Sequence, residues 1–98
     1  MLIKIHKSYR DVVAICDSEL LGEKFEEGER ILEVRESFFN GEEKNEEEII
    51  ELMKELSKED ATFNIVGEKS VNAALKAGII NEEGIKKVKE VPFALVLL

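Results

Sequence analysis

The sequence predicts an α+β fold: a two-layer sandwich with a mixed sheet of about five strands and helices mainly on one face. Three observations point there. Short runs rich in Ile, Val and Phe lie near both ends and in the middle, an amphipathic stretch with helical spacing is centred on Met53, and the elements read in the order strand, strand, short helix, strand, helix, strand, helices, strand. At 98 residues, 44% hydrophobic and 37% charged, the chain can build one core and keep a charged surface, so a single domain over residues 1–98 is expected.

Leu2 to Ser8 alternates, Ile3 and Ile5 on one side and Lys4 and His6 on the other, as a strand with one covered face does. Val12 to Cys16 is apolar on both sides. The polar Tyr9, Arg10 and Asp11 between the two runs make an antiparallel hairpin the natural connection, with the second strand nearer the sheet centre. Asp17 and Ser18 can cap a helical turn in which Leu21 and Phe25 form a small apolar stripe that Gly28 ends. Arg30 to Phe39 reads as a strand closed by the turn pair Asn40-Gly41.

A helix from Asn45 to Lys58 follows, because Asn45 and Glu48 have the spacing of a capping box. Ile49, Leu52, Met53 and Leu56 share one face of it and the glutamates take the other. Glu47, Glu51 and Glu55 stack with like charge, so the helix depends on its buried stripe. Ala61 to Val66 is a strand and Gly67 a turn. Glu68 to Ala77 is a second helix with Val71, Ala74 and Leu75 inward, ended by Gly78. Asn81 caps a last short helix through Val88, closed by Pro92. Phe93 to Leu98 is continuously apolar, which requires a fully buried strand or one whose exposed face meets a partner. Helices acting as crossovers of one hand fall on one sheet face when the sheet grows one way.

The net charge of -8 argues against a protein that neutralises many phosphates along a nucleic acid. Its acids concentrate in the middle: residues 17–36 carry -5 and residues 42–60 carry -6, whereas residues 1–16 carry +2 and residues 61–98 carry +1. The two ends could together present a modest basic face. Cys16 is the only cysteine, no long apolar leader opens the chain, and the longest apolar run is far short of the ~20 residues that span a bilayer. A cytoplasmic protein that does not enter membranes is expected. Glutamate supplies nearly all the acid and lysine most of the base, a bias found in hyperthermophile proteins.

Reactive side chains are scarce: one histidine, one cysteine and one tyrosine. Neither a CxxC pair nor an HExxH helix exists, so no metal site and no cofactor are expected. His6 and Cys16 lie on neighbouring predicted strands and would form a couple only if register brought them together. Lone thiols among small apolar neighbours are usually core residues, and His6 beside Lys4 reads as a surface residue. Ile65 to Ser70 runs strand, turn, helix, but a phosphate loop needs a glycine five residues before its Gly-Lys pair, where this chain has Phe63 before Glu68-Lys69. The amides at that helix start could hold an anion, a place Glu68 can fill itself.

Two segments resemble an archaeal family known as domain of unknown function 424. One is Cys16-Asp17-Ser18-Glu19-Leu20-Leu21-Gly22 with Phe25-Glu26-Glu27-Gly28; the other is Asn64-Ile65-Val66-Gly67-Glu68 with Val71, Ala74 and Gly78. The opening Lys4-Ile5-His6-Lys7 fits as well, and the similarity runs over nearly the whole chain. After Val91-Pro92 the chain departs from the family pattern, with Phe93 to Leu98 in place of a short polar ending. The resemblance implies a small archaeal domain and supplies no catalytic residue or cofactor.

The functional expectation is a non-catalytic binding or adaptor module with a protein or translation-related RNA-protein partner. The alternative is a small enzyme or metabolite binder using Asp17, Glu19 and Cys16 or His6. The candidate ligand-binding residues are His6, Cys16, Asp17, Glu19, Gly22, Gly67 and Glu68, although Asp, Ser and Gly in the Asp17 to Gly28 segment also read as a capping and turn framework. Phe93 to Leu98 could pair with a second copy and form a homodimer.

Overall fold

A computed structural model describes Met1–Leu97. Eight strands and three helices follow one another as β1 Leu2–His6, β2 Val12–Cys16, β3 Lys24–Glu27, β4 Arg30–Glu33, α1 Glu36–Phe39, β5 Glu42–Glu43, α2 Glu46–Lys58, β6 Thr62–Val66, α3 Glu68–Ala77, β7 Lys86–Val88 and β8 Val91–Val96. Six strands form a mixed sheet in the order β5-β1-β2-β6-β8-β7, and β3 and β4 pair separately as a hairpin. The α+β class and the mixed sheet are as the sequence predicts, with one more strand in the sheet than expected.

The sheet separates two apolar layers. Ile3 opposite Ile15, Val13 beside Phe63 and Ile15 beside Ile65 put the large side chains of β1, β2 and β6 on one face. There they pack against Ile49, Met53 and Leu56 of α2 and Val71, Ala73 and Ala74 of α3. α2 forms because Asn45 and Glu48 close the reciprocal box at its start, the Glu48 N–H donating to Asn45 Oδ1 (2.9 Å) and the Asn45 N–H to Glu48 Oε1 (3.1 Å). Ile49, Met53 and Leu56 of its apolar stripe are buried, and Leu52 is partly so. α3 ends on Gly78 at φ 77°, the left-handed position that glycine accepts without strain.

The second face is covered differently. Leu2, Ala14, Cys16 and Val66 meet Leu32, Val34 and Phe39 from the β3–β4 hairpin and α1. Here three predicted elements are corrected. The segment expected as a strand from Arg30 to Phe39 is β4 followed by a single helical turn, because β4 pairs only as far as Lys24 opposite Glu33 and the chain then folds back over the sheet. The short helix expected after Asp17 is one 3-10 turn, Ser18–Leu20, that gives way to β3; Leu21 and Phe25 still pack inward. The last predicted helix is a 3-10 turn, Glu82–Gly84, followed by β7, since Val88 buries by pairing with Val91 rather than by helical stacking.

β8 begins at Val91 and contains Pro92, which a central strand normally excludes. The Gly67 N–H donates to the Pro92 carbonyl (2.8 Å), while the Gly67 carbonyl accepts from Val71 in the first turn of α3 (2.9 Å). No donor is therefore needed from Pro92. Leu98, the last residue of the predicted C-terminal strand, lies outside the described residues.

Candidate functional site

Asp17 holds a buried polar cluster at the head of α3. Carried just past β2, its carboxylate accepts from the Lys69 N–H (3.1 Å), the Ser70 N–H (2.8 Å) and the Ser70 hydroxyl (2.8 Å), and Asp17 is only 4% exposed. It does not cap its own turn; it caps α3, more than fifty residues away in sequence. An ionised carboxylate at the head of a helix satisfies two orphan amides and the positive end of the helix dipole together. The anion position at that helix start is thus filled by Asp17, whereas Glu68 is exposed.

Gly67 makes the clasp possible. Its φ of 108° suits only glycine, and a Cβ there would lie 2.3 Å from Cγ of Asp17. Glu19 adds an exposed ion pair to Lys69 (3.7 Å), and Ser18 donates to Glu43 (2.6 Å). Gly22, at φ 85°, turns the chain from the 3-10 turn into β3, its N–H donating to the Val34 carbonyl (2.7 Å). Asp17, Glu19, Gly67 and Glu68 are brought together, and the shared purpose of Asp17 and Gly67 is to fasten α3 to β2.

His6 and Cys16 are not brought together. Both side chains take the hairpin-covered face, but Leu2 pairs with Cys16 and His6 with Val12, so they sit at opposite ends of the β1–β2 ladder, roughly 13 Å apart. Cys16 is fully buried, and that burial, with the adjacent Asp17 carboxylate adding to it, pushes the thiol up to about 11, which leaves no thiolate at neutral pH. His6 stacks on Phe38 with ring centroids 4.6 Å apart, and its Nε2 lies 2.9 Å from the Phe38 carbonyl. A carbonyl only accepts, so this nitrogen donates and the ring pins α1 to β1. Lys4 does the same beside it, donating to the Ser37 carbonyl (3.1 Å). Among the described residues no group of three His, Cys, Asp or Glu is placed to hold a metal ion.

An open groove lies elsewhere. α1 covers β1 and β2, and the β3–β4 hairpin reaches β7, which leaves the β6–β8 part of this face uncovered. A groove of about 700 Å³ results, floored by Asn64, Phe93 and Leu95 and walled by Ile31, Arg35 and Phe38. Ile31 is 59% and Leu95 53% exposed, and Leu97, further along, 71%. Lys24 stands at the rim, and Arg35 is held by Glu33 (Nε to Oε1, 3.1 Å). The Asn64 amide lines the groove from the middle of β6, between Phe63 and Ile65, and no side-chain hydrogen bond to it occurs among the described residues.

None of these groove residues belongs to the set chosen from sequence. One signal was available: an asparagine between Phe63 and Ile65 in a central strand needs either a polar partner or an opening. The other was the apolar C-terminal strand, whose unexplained outer face is now located over this groove. Ile31 and Phe38 carry no local mark.

Similarity to known proteins follows the same framework. A crystal structure of an uncharacterised conserved protein from Methanopyrus kandleri resembles this fold with a TM-score of 0.86 and 26% sequence identity, over 97% of this chain and 88% of that one. Comparison with curated proteins finds none that matches. The profile of a family described as a protein of unknown function, DUF424, matches residues 6–98, which include the Asp17 clasp, the Gly67 turn and the groove strands; the chain belongs to the DUF424 family.

Proposed function

We propose that this chain is a non-catalytic binding module, and that its ligand is a protein held in the groove between the β3–β4 hairpin and the β6–β8 part of the sheet. One observation carries this reading: Ile31 and Leu95, large apolar side chains more than half exposed, face a single groove of about 700 Å³. Contiguous apolar exposure of this kind is costly in water and marks interaction surfaces. The groove also carries polar groups that would orient a ligand, the Asn64 amide in the floor and the Arg35 guanidinium in the wall.

The enzymatic alternative built on Asp17, Glu19, Cys16 and His6 is less favoured. The Asp17 carboxylate is saturated by donors, the thiol is buried and un-ionised, and His6 is committed to α1. Glu19 alone faces water, paired with Lys69. A cytoplasmic setting accords with a single buried thiol, and no helix among the described residues is long and apolar enough to cross a membrane.

The test is capture from an extract of the source cells by the immobilised chain, run beside an Ile31→Lys/Leu95→Lys variant, with and without ribonuclease. Support is a protein that wild type retains and the variant loses whatever the ribonuclease treatment. Capture abolished by ribonuclease would assign the partner to a ribonucleoprotein instead. A partner held equally by both chains, or none at all, would refute the groove. Sedimentation at several concentrations tests the homodimer through β8; a strict monomer excludes it.

A further inference from the structure

We infer that the groove's occupant is an extended polypeptide that adds as a strand to the outer edge of β8 at Leu95; this rests on the groove being a protein-binding site. β7 is three residues long and β8 six, so their pairing stops at Lys86 opposite Phe93. The ladder with β6 fixes what happens beyond. Gly67 and Pro92 form a hydrogen-bonded pair, so Ala94 and Val96 turn their backbone groups toward β6, while Phe93 and Leu95 turn theirs away from it. Phe93 spends its pair on Lys86. Beyond it, the Leu95 N–H and C=O point into a gap of about 100 Å³ lined by Gly84, Lys86 and Ala94, with no backbone partner among the described residues.

A bare strand edge is complementary to another strand, and proteins blunt edges that must not pair. Both outer strands of the sheet are blunted in this way. The β5 edge is the dipeptide Glu42–Glu43, and β7 carries Lys86 and Lys87 with Lys89 in its turn. The uncovered stretch Ala94 to Leu97 bears no charge; Leu95 lies in the groove floor, and Leu97 beyond it is exposed. A strand laid there would satisfy Leu95 with its backbone and place the side chain opposite Leu95 into the groove, with its neighbours turned to the helix side. Alternation of apolar side chains is the chemistry such a partner must have.

A phage-displayed library of random twelve-residue peptides, selected on the full chain, supplies a probe, and amide exchange read by NMR on the complex with the synthetic enriched peptide supplies the test. Strand addition is expected to enrich peptides with alternating apolar residues, to slow exchange of the Leu95 N–H about tenfold or more, and to lose about tenfold or more in affinity in Leu95→Asp. A peptide that shifts the Asn64 and Phe38 resonances while Leu95 exchanges as fast as before would overturn strand addition and leave the binding module standing. Failure to enrich any peptide over the Ile31→Lys/Leu95→Lys background would remove both. A Leu95 amide already protected in the free chain, in step with dimer on sedimentation, would give the edge to a second copy and overturn the inference as well.

Discussion

The two faces of the sheet are covered to different extents. On the helix side, Ile49, Met53, Phe63 and Ile15 are wholly buried under α2 and α3, and every large side chain the strands send that way finds a partner. On the other side, a hairpin of two four-residue strands and one helical turn cover the Leu2, Cys16 and Val66 end and stop short of Leu95. The difference teaches where stability and recognition reside. The first face is closed over its core, with partly buried residues such as Ile5 and Leu52 only at its margin; the second has a groove whose apolar residues Ile31 and Leu95 are more than half exposed.

If that division is right, substitutions on the two faces separate cleanly. Phe63→Ala on the closed face should cost about 3–5 kcal/mol in denaturant unfolding, since a fully buried ring leaves a cavity that α2 and α3 cannot collapse. A loss under about 1 kcal/mol would mean the helical layer is loosely packed.

Asp17→Ala should cost about 2–4 kcal/mol, because two amides and a hydroxyl at the head of α3 lose a charged acceptor in a buried place. Gly67→Ala should cost a similar amount alone and less in the Asp17→Ala background, since removal of the carboxylate relieves the clash and leaves only the positive-φ strain. Full additivity in the double-mutant cycle would break the clasp as described.

The β7–β8 turn sharpens the comparison from the other direction. Lys89 and Glu90 hold φ of 51° and 67°, the two left-handed positions of a tight hairpin turn, without the Asn and Gly that such turns prefer. Lys89→Asn/Glu90→Gly should therefore raise stability by about 1 kcal/mol in the same unfolding assay. No gain would mean the strain is relieved by contacts of the native side chains.

Smallest of all, Ile31→Lys/Leu95→Lys should change stability by no more than about 0.5 kcal/mol per site, as expected where side chains already face water. A larger loss would make the groove an extension of the core.

Much of the helical face could be read from the sequence. The alternation of Leu2 to Ser8, the capping box at Asn45 and the glycine stops at Gly67 and Gly78 are local signals, and each sits within a few residues of the structure it specifies. The second face was poorly legible for a physical reason. Arg30 to Phe39 is apolar enough for a strand throughout, and only the length of hairpin pairing decides that it turns into α1 at Glu36. Asp17 reads as a cap for the turn that follows it, but its partners lie across the β2–β6 ladder, and no local pattern announces a cap fifty residues away. The groove is harder still, because it is the area that the β3–β4 arm fails to reach.

The most direct test of the groove as the working surface is photo-crosslinking in extract of the source cells, with a benzophenone side chain placed at position 95 in one chain and at position 51, on the acidic outer face of α2, in another. The expected result is a discrete protein adduct from position 95 and none from position 51. Equal yields from the two positions, or adducts from position 51 alone, would contradict it.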